Sequence, residues 1–527
     1  MSSNPTAPAA TEHSRVVSTG VPGLDEVLEG GLPPNRLYLI DGEPGAGKTT
    51  LALQFLLAGR RAGERGLFVT LSETADELRA AAESHGWSLE GIEIFELAAI
   101  PEQEAEDAYT LFHPAEIELQ QTVGAVLDAV EQYRPTRVVF DSLSEMRLLA
   151  RDPLRLRRQI LALKQFFSGR ACTVLVLDDR TGPEGDLQLQ SIAHGVVALE
   201  QVAVDYGAER RRLQVKKLRG AHYRGGYHDF RIRTGGLEVY PRVRHEAGAT
   251  REAEDQVSSG SAELDSLLGG GLTRGTSALI TGAAGTGKSV LGMQFAHTAA
   301  CRGERTRVYM FDERVATAMT RSKGLGIDLR APVAQGLLSL CQIEPTQMSP
   351  GEFANEVVQA VEADGVMMIV IDSLNGLLQA MPNERLLGIQ VHELLSYLAS
   401  RGVTVLMTLV QRGIFGSPVD DTAEVSFLAD TVLLLRYFEF AGAVRQAISV
   451  VKKRTGAHER TVREFRVQRG GMHLGDPLQE FRGVLTGVPE YVGGDAPLMH
   501  SEGASNASKR ERDALARAGR VGSAEGR

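Results

Sequence analysis

The stretch GEPGAGKTT at residues 42–50 follows the apolar run LYLI and leads directly into LALQFLLA. A second stretch, GAAGTGKSV at residues 282–290, follows ALI and precedes LGMQFA. Both match the pattern GxxxxGK[ST], whose glycines let successive backbone N–H groups turn toward phosphate oxygens at a helix N-terminus. Because each match lies between a strand-like run and a helical one, both stretches are predicted to be phosphate-binding loops.

The lysine of such a loop reaches the β and γ phosphates of ATP, and the next hydroxyl coordinates Mg²⁺. Lys48 and Thr49 hold these two positions in the first loop, and Lys288 and Ser289 hold them in the second. The predicted ATP-binding residues are Gly42, Glu43, Pro44, Gly45, Ala46, Gly47, Lys48, Thr49 and Thr50, and Gly282, Ala283, Ala284, Gly285, Thr286, Gly287, Lys288, Ser289 and Val290.

The chain repeats itself at a fixed offset. Residues 18–32 read STGVPGLDEVLEGGL, residues 258–272 read SSGSAELDSLLGGGL, and the two loop lysines keep the same offset of 240 positions (288 − 48). A period of this length predicts two whole domains and not a solenoid. In each half, nearly continuous apolar runs alternate with helical stretches, which is typical of a parallel sheet with helices on both faces. The sequence therefore predicts an α/β fold of two tandem P-loop domains.

Changes in composition place the domain boundaries. Residues 1–14 and 491–527 have few large apolar side chains and are predicted to be disordered. The polar stretch at 245–256 lacks apolar periodicity and is predicted to be a linker. The two domains are accordingly expected at 15–244 and 257–490.

Bulk properties narrow the class of protein. The chain has 527 residues, 43% of them hydrophobic, and a net charge of −10, which gives no overall basic surface for a nucleic-acid backbone. Its cysteines, Cys172, Cys301 and Cys341, have neither disulfide-framework nor metal-binding spacing. The N-terminus lacks the apolar core of a secretory signal, and the longest apolar run, VMMIVI, is too short to span a bilayer. We expect a cytoplasmic protein with no membrane partner.

Two apolar strands close on Asp-Ser, at RVVFDSL with Asp141 and at VMMIVIDSL with Asp372. In P-loop enzymes an aspartate at the end of a buried strand is a second anchor for Mg²⁺. The alternative is that each aspartate caps the helix that follows. The loop in the same repeat favours the metal role.

ATP hydrolysis also needs a carboxylate that orients the attacking water. The candidates are Glu73 in LSET and the pair Asp312 and Glu313 in FDER, each just after the second strand of its repeat. The alternative is that these acids are ordinary first-turn charges, which favour a helix N-terminus.

Two basic clusters occupy matching late positions. KKLRG contains Lys217 and Arg219, and KKRTG contains Lys452 and Arg454. Such cations reach the γ-phosphate of a neighbouring subunit in some ATPases, and they also serve to protect exposed strand edges from pairing. The residues alone do not decide between these two roles.

With the duplicated loops, the STG…LD…GGL segments, the LSET and FDER acids, the DSL strands and the basic clusters, the chain resembles the KaiC family of double-domain RecA-type ATPases. The resemblance covers roughly residues 15–490. It implies two RecA-like rings, a homohexamer, and ATP with Mg²⁺ held between adjacent subunits. It also implies that Lys217, Arg219, Lys452 and Arg454 act in the neighbour's site.

The match to the family differs between the halves. The family's first domain hydrolyses ATP with a Glu-Glu pair, which corresponds here to Ser72 and Glu73. Glu73 therefore remains as the expected water-orienting residue. In the second domain the corresponding pair is Asp312 and Glu313, acidic at both positions.

The family's second domain phosphorylates itself on adjacent Ser and Thr residues. The matching segment DDTAEVSFLADT has Ser426 at the serine position and Phe427 at the threonine position, which excludes a two-site cycle of the family type. Single-site phosphorylation of Ser426 with Glu313 as the base is left open, with Thr422 or Thr431 as substitutes. Equally, Ser426 can be a plain surface or interface hydroxyl.

The leading hypothesis is a homohexameric ATPase with serine autokinase activity that acts as a signalling or timing regulator. A RecA- or RadA-type nucleic-acid motor needs basic loops, whereas residues 181–190 and 412–424 are neutral to acidic. A nucleotide-stabilised scaffold with little turnover is a third hypothesis. The resemblance also points to signalling partners at the C-terminal tail, although this tail differs in character from the family's.

Overall fold

The computed structural model describes residues 16–97, 114–150, 152–179, 187–203, 207–244, 255–344, 346–379, 384–411, 426–485 and 489–492. Two compact units divide near residue 242, and residues 346–355 group with the first unit. The termini predicted to be disordered and most of the predicted linker lie outside the described residues, so those boundaries stay predictions.

The first repeat contains the following elements. Its helices are α1 (Leu24–Val27), α2 (Lys48–Arg61), α3 (Ala75–Ser84), α4 (Pro114–Tyr133), α5 (Leu143–Ala150), α6 (Pro153–Ser168) and α7 (Leu187–Ile192). Its strands are β1 (Leu37–Gly42), β2 (Gly66–Thr70), β3 (Ile92–Glu96), β4 (Arg137–Asp141), β5 (Thr173–Asp179), β6 (Gly195–Val202), β7 (Arg210–Leu218), β8 (Tyr227–Arg233) and β9 (Gly236–Tyr240).

The second repeat follows the same plan. Its helices are α8 (Ala262–Leu267), α9 (Lys288–Cys301), α10 (Val315–Gly324), α11 (Arg330–Ala334), α12 (Pro350–Glu362), α13 (Leu374–Gln379) and α14 (Glu384–Ser400). Its strands are β10 (Gln256–Val257), β11 (Leu272–Thr273), β12 (Ser277–Gly282), β13 (Thr306–Met310), β14 (Leu338–Gln342), β15 (Met368–Asp372), β16 (Thr404–Val410), β17 (Thr431–Phe440), β18 (Ala443–Lys453), β19 (Arg463–Gln468), β20 (Gly471–Pro477), β21 (Phe481–Arg482) and β22 (Glu490–Tyr491).

Each repeat builds a nine-stranded sheet with the same strand order. The first sheet runs β3-β2-β4-β5-β1-β6-β7-β8-β9, and the second runs β14-β13-β15-β16-β12-β17-β18-β19-β20. In both sheets the first six strands are parallel and the last three antiparallel. The prediction of tandem, mostly parallel RecA-like sheets is confirmed. Because parallel strands end at one edge, the loops and the strand-end acids converge there.

The strands are buried on both faces, as the apolar runs predict. In β1, Ile40 packs into the same core cluster as Phe55 of α2, whereas its neighbour Leu39 packs with Val126 of α4 and Ile160 of α6. Successive strand residues point to opposite faces, so each face has its own helical layer and core. In the second repeat, Ile280 of β12 packs with the helix that follows its loop.

All three cysteines are free thiols, and burial raises the pKa of the Cys172 thiol to about 12. Within the described part of the chain, no helix combines the length and the apolar character needed to cross a bilayer.

Candidate nucleotide-binding sites

Each GxxxxGK[ST] stretch forms a tight loop between a central strand and a 14-residue helix. Gly47 immediately precedes α2 with a φ of 102°, a left-handed conformation that favours glycine. A Cβ at this position would lie 2.6 Å from Cδ1 of Ile232, so a larger residue would also clash. Gly287 holds the same place before α9 with a φ of 98°. The backbone thus takes the conformation that the sequence pattern predicts in both repeats.

The loop lysines are both buried but have different surroundings. Lys48 Nζ donates to the carbonyls of Gly42 and Glu43, each at 2.9 Å, and forms an ion pair with Asp179 Oδ1 at 2.6 Å. Asp179 is the last residue of β5.

Lys288 Nζ donates to the matching carbonyls of Gly282 and Ala283, at 3.0 and 2.7 Å. Burial lowers the pKa of Lys288 to about 8, and the charge of Asp372 opposes this shift.

Thr49 and Asp141, the two predicted Mg²⁺ ligands of the first repeat, are brought together. Thr49 Oγ1 donates to Asp141 Oδ2 at 3.1 Å. Asp141 is buried at the end of β4. Burial and the nearby charge of Glu73 raise the pKa of Asp141 to about 6, against the effect of the Thr49 hydrogen bond.

These residues fit a magnesium ion. Mg²⁺ prefers oxygen ligands and is usually held by one or two protein groups together with phosphate oxygens and water. The hydroxyl and the carboxylate meet this need beside the lysine. The described residues contain no group of three or more His, Cys, Asp or Glu that could hold a metal.

In the second repeat, Asp372 ends β15 at the position of Asp141 and accepts a 2.5 Å hydrogen bond from Thr408 of β16. Ser289 lies half-buried in the first turn of α9, directly after Lys288. In both repeats the peptide bond after the strand-end aspartate is cis.

Glu73 lies in a turn that two threonines fix. Thr70 Oγ1 donates to the Glu73 carbonyl at 2.8 Å and accepts from the Glu73 N–H at 3.0 Å. Thr74 and Glu77 then form the capping box of α3. The acids in the first turn of α3 are Asp76 and Glu77, whereas Glu73 precedes the helix. Burial and the charge of Glu77 raise the pKa of Glu73.

Both acids of the second repeat have partners. Asp312 Oδ2 accepts from Ser373 Oγ at 2.5 Å. Glu313 Oε2 accepts from Arg321 Nη1 at 2.6 Å, an ion pair between the turn and helix α10. The matching residue of α3 is Ala81, which cannot form such a pair.

The late basic clusters bind backbone within their own repeat. Lys217 Nζ donates to the backbone carbonyls of Gln190, Ser191 and Ala193. Lys452 Nζ donates to the backbone carbonyls of Ser426 and Ala429. Arg219 donates to the Ser191 carbonyl at 3.2 Å, and Arg454 lies 3.4 Å from Asp430 Oδ1. Burial, followed by the charge of the neighbouring arginine, lowers the pKa of both lysines. The role of these four residues toward a neighbouring subunit stays a prediction.

Ser426 is half-buried, and Phe427 beside it is 51% exposed and stacks on His392. Thr431 is fully buried as the first residue of β17, which removes it as a surface phosphoacceptor. Thr422 lies outside the described residues. So do residues 181–186 and 412–424 of the two segments whose charge argues against a nucleic-acid motor.

Several residues at these sites were not predicted from the sequence, and three of them contact the lysine or the acids from other elements. Asp179 and Thr408 come from the strand next to the loop strand, and Arg321 comes from a helix. Asp179 had a usable signal, because it belongs to the Asp-Asp pair that follows the apolar run TVLVL, just as Asp141 follows RVVF. Thr408 and Arg321 are ordinary strand and helix residues in the sequence.

A phosphate-binding loop after a central parallel strand, with an aspartate ending a nearby strand, defines each repeat as a P-loop NTPase domain of the RecA-like type. The family model described as "ATPase: KaiC" matches the chain twice, at residues 17–244 and 257–479. The chain therefore belongs to the KaiC ATPase family.

Curated relatives are similar over almost the whole chain. Circadian clock protein KaiC3 of Synechocystis sp. is 28% identical over 494 residues, which cover 92% of this chain and 96% of that protein. The circadian clock oscillator proteins KaiC of Picosynechococcus sp. and Synechococcus elongatus are each 27% identical. They cover 91% and 92% of this chain, and 93% of each relative is matched.

Proposed function

We propose that this ATPase hydrolyses ATP with Mg²⁺ and that its first repeat carries most of the turnover. The observation that supports this division is the arrangement of Lys48, Thr49 and Asp141 beside Glu73, whose pKa is raised. A general base works best when its pKa lies nearer the working pH than that of an ordinary carboxyl. In the second repeat the corresponding glutamate is paired with an arginine.

In the proposed reaction, backbone N–H groups of the loop and the Lys48 ammonium hold the phosphates of ATP. Thr49 and Asp141 would hold Mg²⁺, and Ser289 and Asp372 would do so in the second repeat. When bound, the ion neutralises charge on the phosphate oxygens. A water oxygen attacks the γ-phosphorus as the bond to the β–γ bridging oxygen breaks. The Glu73 carboxylate accepts the water's proton.

We also propose that the protein assembles as a homohexamer in the cytoplasm, with RecA-like domains at 15–244 and 257–490. Lys217, Arg219, Lys452 and Arg454 would then reach the nucleotide of the adjoining subunit. The names of the relatives, which are clock proteins, support a timing or signalling role. Phosphorylation of Ser426 by the second repeat, with Glu313 as the base, is a subsidiary proposal.

Steady-state ATP turnover of the full chain tests the main proposal. In the Lys288→Ala background, which leaves only the first loop, we expect Glu73→Gln to lower turnover by about 100-fold, in the range that loss of a general base costs. Asp312→Asn combined with Glu313→Gln should remove only the smaller contribution of the second repeat. Glu77→Gln is the matched control, because it removes a neighbouring charge and keeps the capping box. Turnover near the background rate in the wild type would favour the scaffold hypothesis, whereas equal and substantial turnover in the wild type and Glu73→Gln would exclude Glu73 as the base.

Two further measurements test the subsidiary proposals. Transfer of labelled γ-phosphate should be lost in Ser426→Ala, and label that persists in this variant would place the acceptor elsewhere. The mass in solution should shift to about six subunits when ATP and Mg²⁺ are added, because nucleotide at a subunit interface stabilises the assembly. Arg219→Ala and Arg454→Ala should weaken that shift.

A further inference from the structure

The two loop lysines have different neighbours at one defined position of the sheet. The pairing of β1 with β5 places Gly42 opposite Asp179. The pairing of β12 with β16 places Gly282 opposite Val410. Asp179 and Val410 are therefore structural equivalents, and a carboxylate in the first repeat corresponds to an aliphatic side chain in the second.

The Asp179 carboxylate is paired with the Lys48 ammonium, the group that must bind phosphate. An ammonium has three N–H donors. Two of the Lys48 donors go to the carbonyls of Gly42 and Glu43, and Asp179 Oδ1 lies at 2.6 Å for the third. The Lys48 side chain is 7% exposed and that of Asp179 is 27% exposed, so solvent screens this pair only in part. Phosphate binding to Lys48 thus requires the carboxylate to give way.

Asp179 is also held by Ser144. The Ser144 hydroxyl donates to Asp179 Oδ2 at 3.3 Å, and the Asp179 backbone N–H donates to Ser144 Oγ at 3.1 Å. Ser144 lies in the first turn of α5, directly after the strand that ends in Asp141. These contacts place one oxygen of Asp179 toward Lys48 and the other toward the helix.

In the second repeat the lysine has the same two carbonyl partners, and Val410 offers no charge. The buried charge of Lys288 therefore has no carboxylate partner at this position of the sheet. A bound phosphate would compensate that charge.

We propose that Asp179 is a counter-ion of Lys48 that nucleotide phosphates must displace, so that the first loop binds nucleotide more weakly than the second. The inference rests on the proposed binding of nucleotide at both loops. Because its affinity is lower, the first loop, which lies beside the proposed base Glu73, would exchange nucleotide faster. The second loop would retain nucleotide longer.

The test measures the Kd of ADP that carries a methylanthraniloyl fluorophore on its ribose, with the full chain and Mg²⁺. Lys288→Ala isolates the first loop, and Lys48→Ala isolates the second. In the Lys288→Ala background, Asp179→Asn should lower the Kd about fivefold or more, because the amide keeps the shape and removes the competing charge. In the Lys48→Ala background, Val410→Asp should raise the Kd by a similar factor.

Asp178→Asn is the matched control for Asp179→Asn. Asp178 precedes Asp179 and binds Arg147 instead of the lysine, so its substitution should change the Kd less than about twofold. Thermal unfolding of each variant reports whether it is folded.

The outcomes separate the two proposals. Binding at both loops with a Kd that Asp179→Asn leaves unchanged would overturn the counter-ion role alone. No binding at the first loop, with or without Asp179→Asn, would overturn nucleotide binding at that loop as well. Binding that Asp179→Asn strengthens, together with weaker binding in Val410→Asp, supports the counter-ion.

Discussion

The two repeats share a strand order and a phosphate-binding loop and differ in the groups around them. In the first repeat, Asp141 accepts from Thr49 of the loop, and Lys48 is paired with Asp179. In the second, Asp372 accepts from Thr408 of a neighbouring strand, and the loop lysine faces an aliphatic residue at the matching position. The fold therefore fixes the positions of the two loops, whereas single side chains on adjacent elements set the charge around them.

The acid-bearing turns show the same contrast. Glu73 is held through its backbone by Thr70, which leaves its side chain out of that contact. Glu313 is held through its carboxylate by Arg321. A glutamate at the same position can thus be restrained in two ways, and in the second the carboxylate must leave an ion pair before it accepts a proton.

The largest expected effect that separates the repeats is that of Asp141→Asn. We expect turnover at the first loop to fall by about 100-fold or more, because an amide oxygen binds Mg²⁺ more weakly than a carboxylate does. The nucleotide-free variant should nevertheless be more stable. Burial raises the pKa of Asp141 from 3.8 to about 6, so the charged carboxylate destabilises the fold above that pH. The unfolding midpoint at neutral pH should rise by about 2–8 °C.

The sign of this effect can be checked by changing the pH. A carboxyl whose pKa is raised in the folded state gains stability as the pH falls from about 6 toward the unfolded value of 3.8. The advantage of Asp141→Asn should therefore shrink as the pH is lowered through this window. A variant that is less stable than the wild type at neutral pH would contradict the assignment of a costly buried charge.

A second, smaller effect concerns the ion pair between Arg321 and Glu313. Arg321→Gln should raise turnover at the second loop by up to about tenfold, because it releases the carboxylate that is the candidate base. Turnover is measured in the Lys48→Ala background, so that only the second loop contributes. Arg321→Lys is the control, since it retains a cation on the same helix face.

The reciprocal substitution places an arginine in the first repeat. Ala81 is the residue of α3 that matches Arg321, and it is exposed, so an arginine can be accommodated there. Ala81→Arg should lower turnover at the first loop in the Lys288→Ala background by pairing with Glu73. If neither exchange changes turnover, the ion pair does not distinguish the repeats.

Local patterns in the sequence predicted most of what the fold provides. The loops, the strand-end residues Asp141 and Asp372, and the doubled α/β architecture follow from short motifs and from apolar periodicity. The contacts of Arg321 and Thr408 could not be predicted, because they depend on helix packing and sheet register between segments distant in the chain. The hydrogen bonds of Lys217 to backbone carbonyls likewise depend on where the C-terminal end of α7 lies relative to β7.

The smallest effect tests whether Glu73 is the base. Two hydrogen bonds from Thr74 keep the pKa of Glu77 below its usual range, so Glu77 stays charged and helps to raise the pKa of Glu73. Turnover should fall as the pH drops through the raised pKa of Glu73, because the protonated acid cannot accept the water's proton. Glu77→Gln keeps the capping box and removes the charge, so the acid limb of the kcat profile should move to lower pH. The profile is measured in the Lys288→Ala background, and a limb that moves to higher pH would exclude Glu73 as the titrating group.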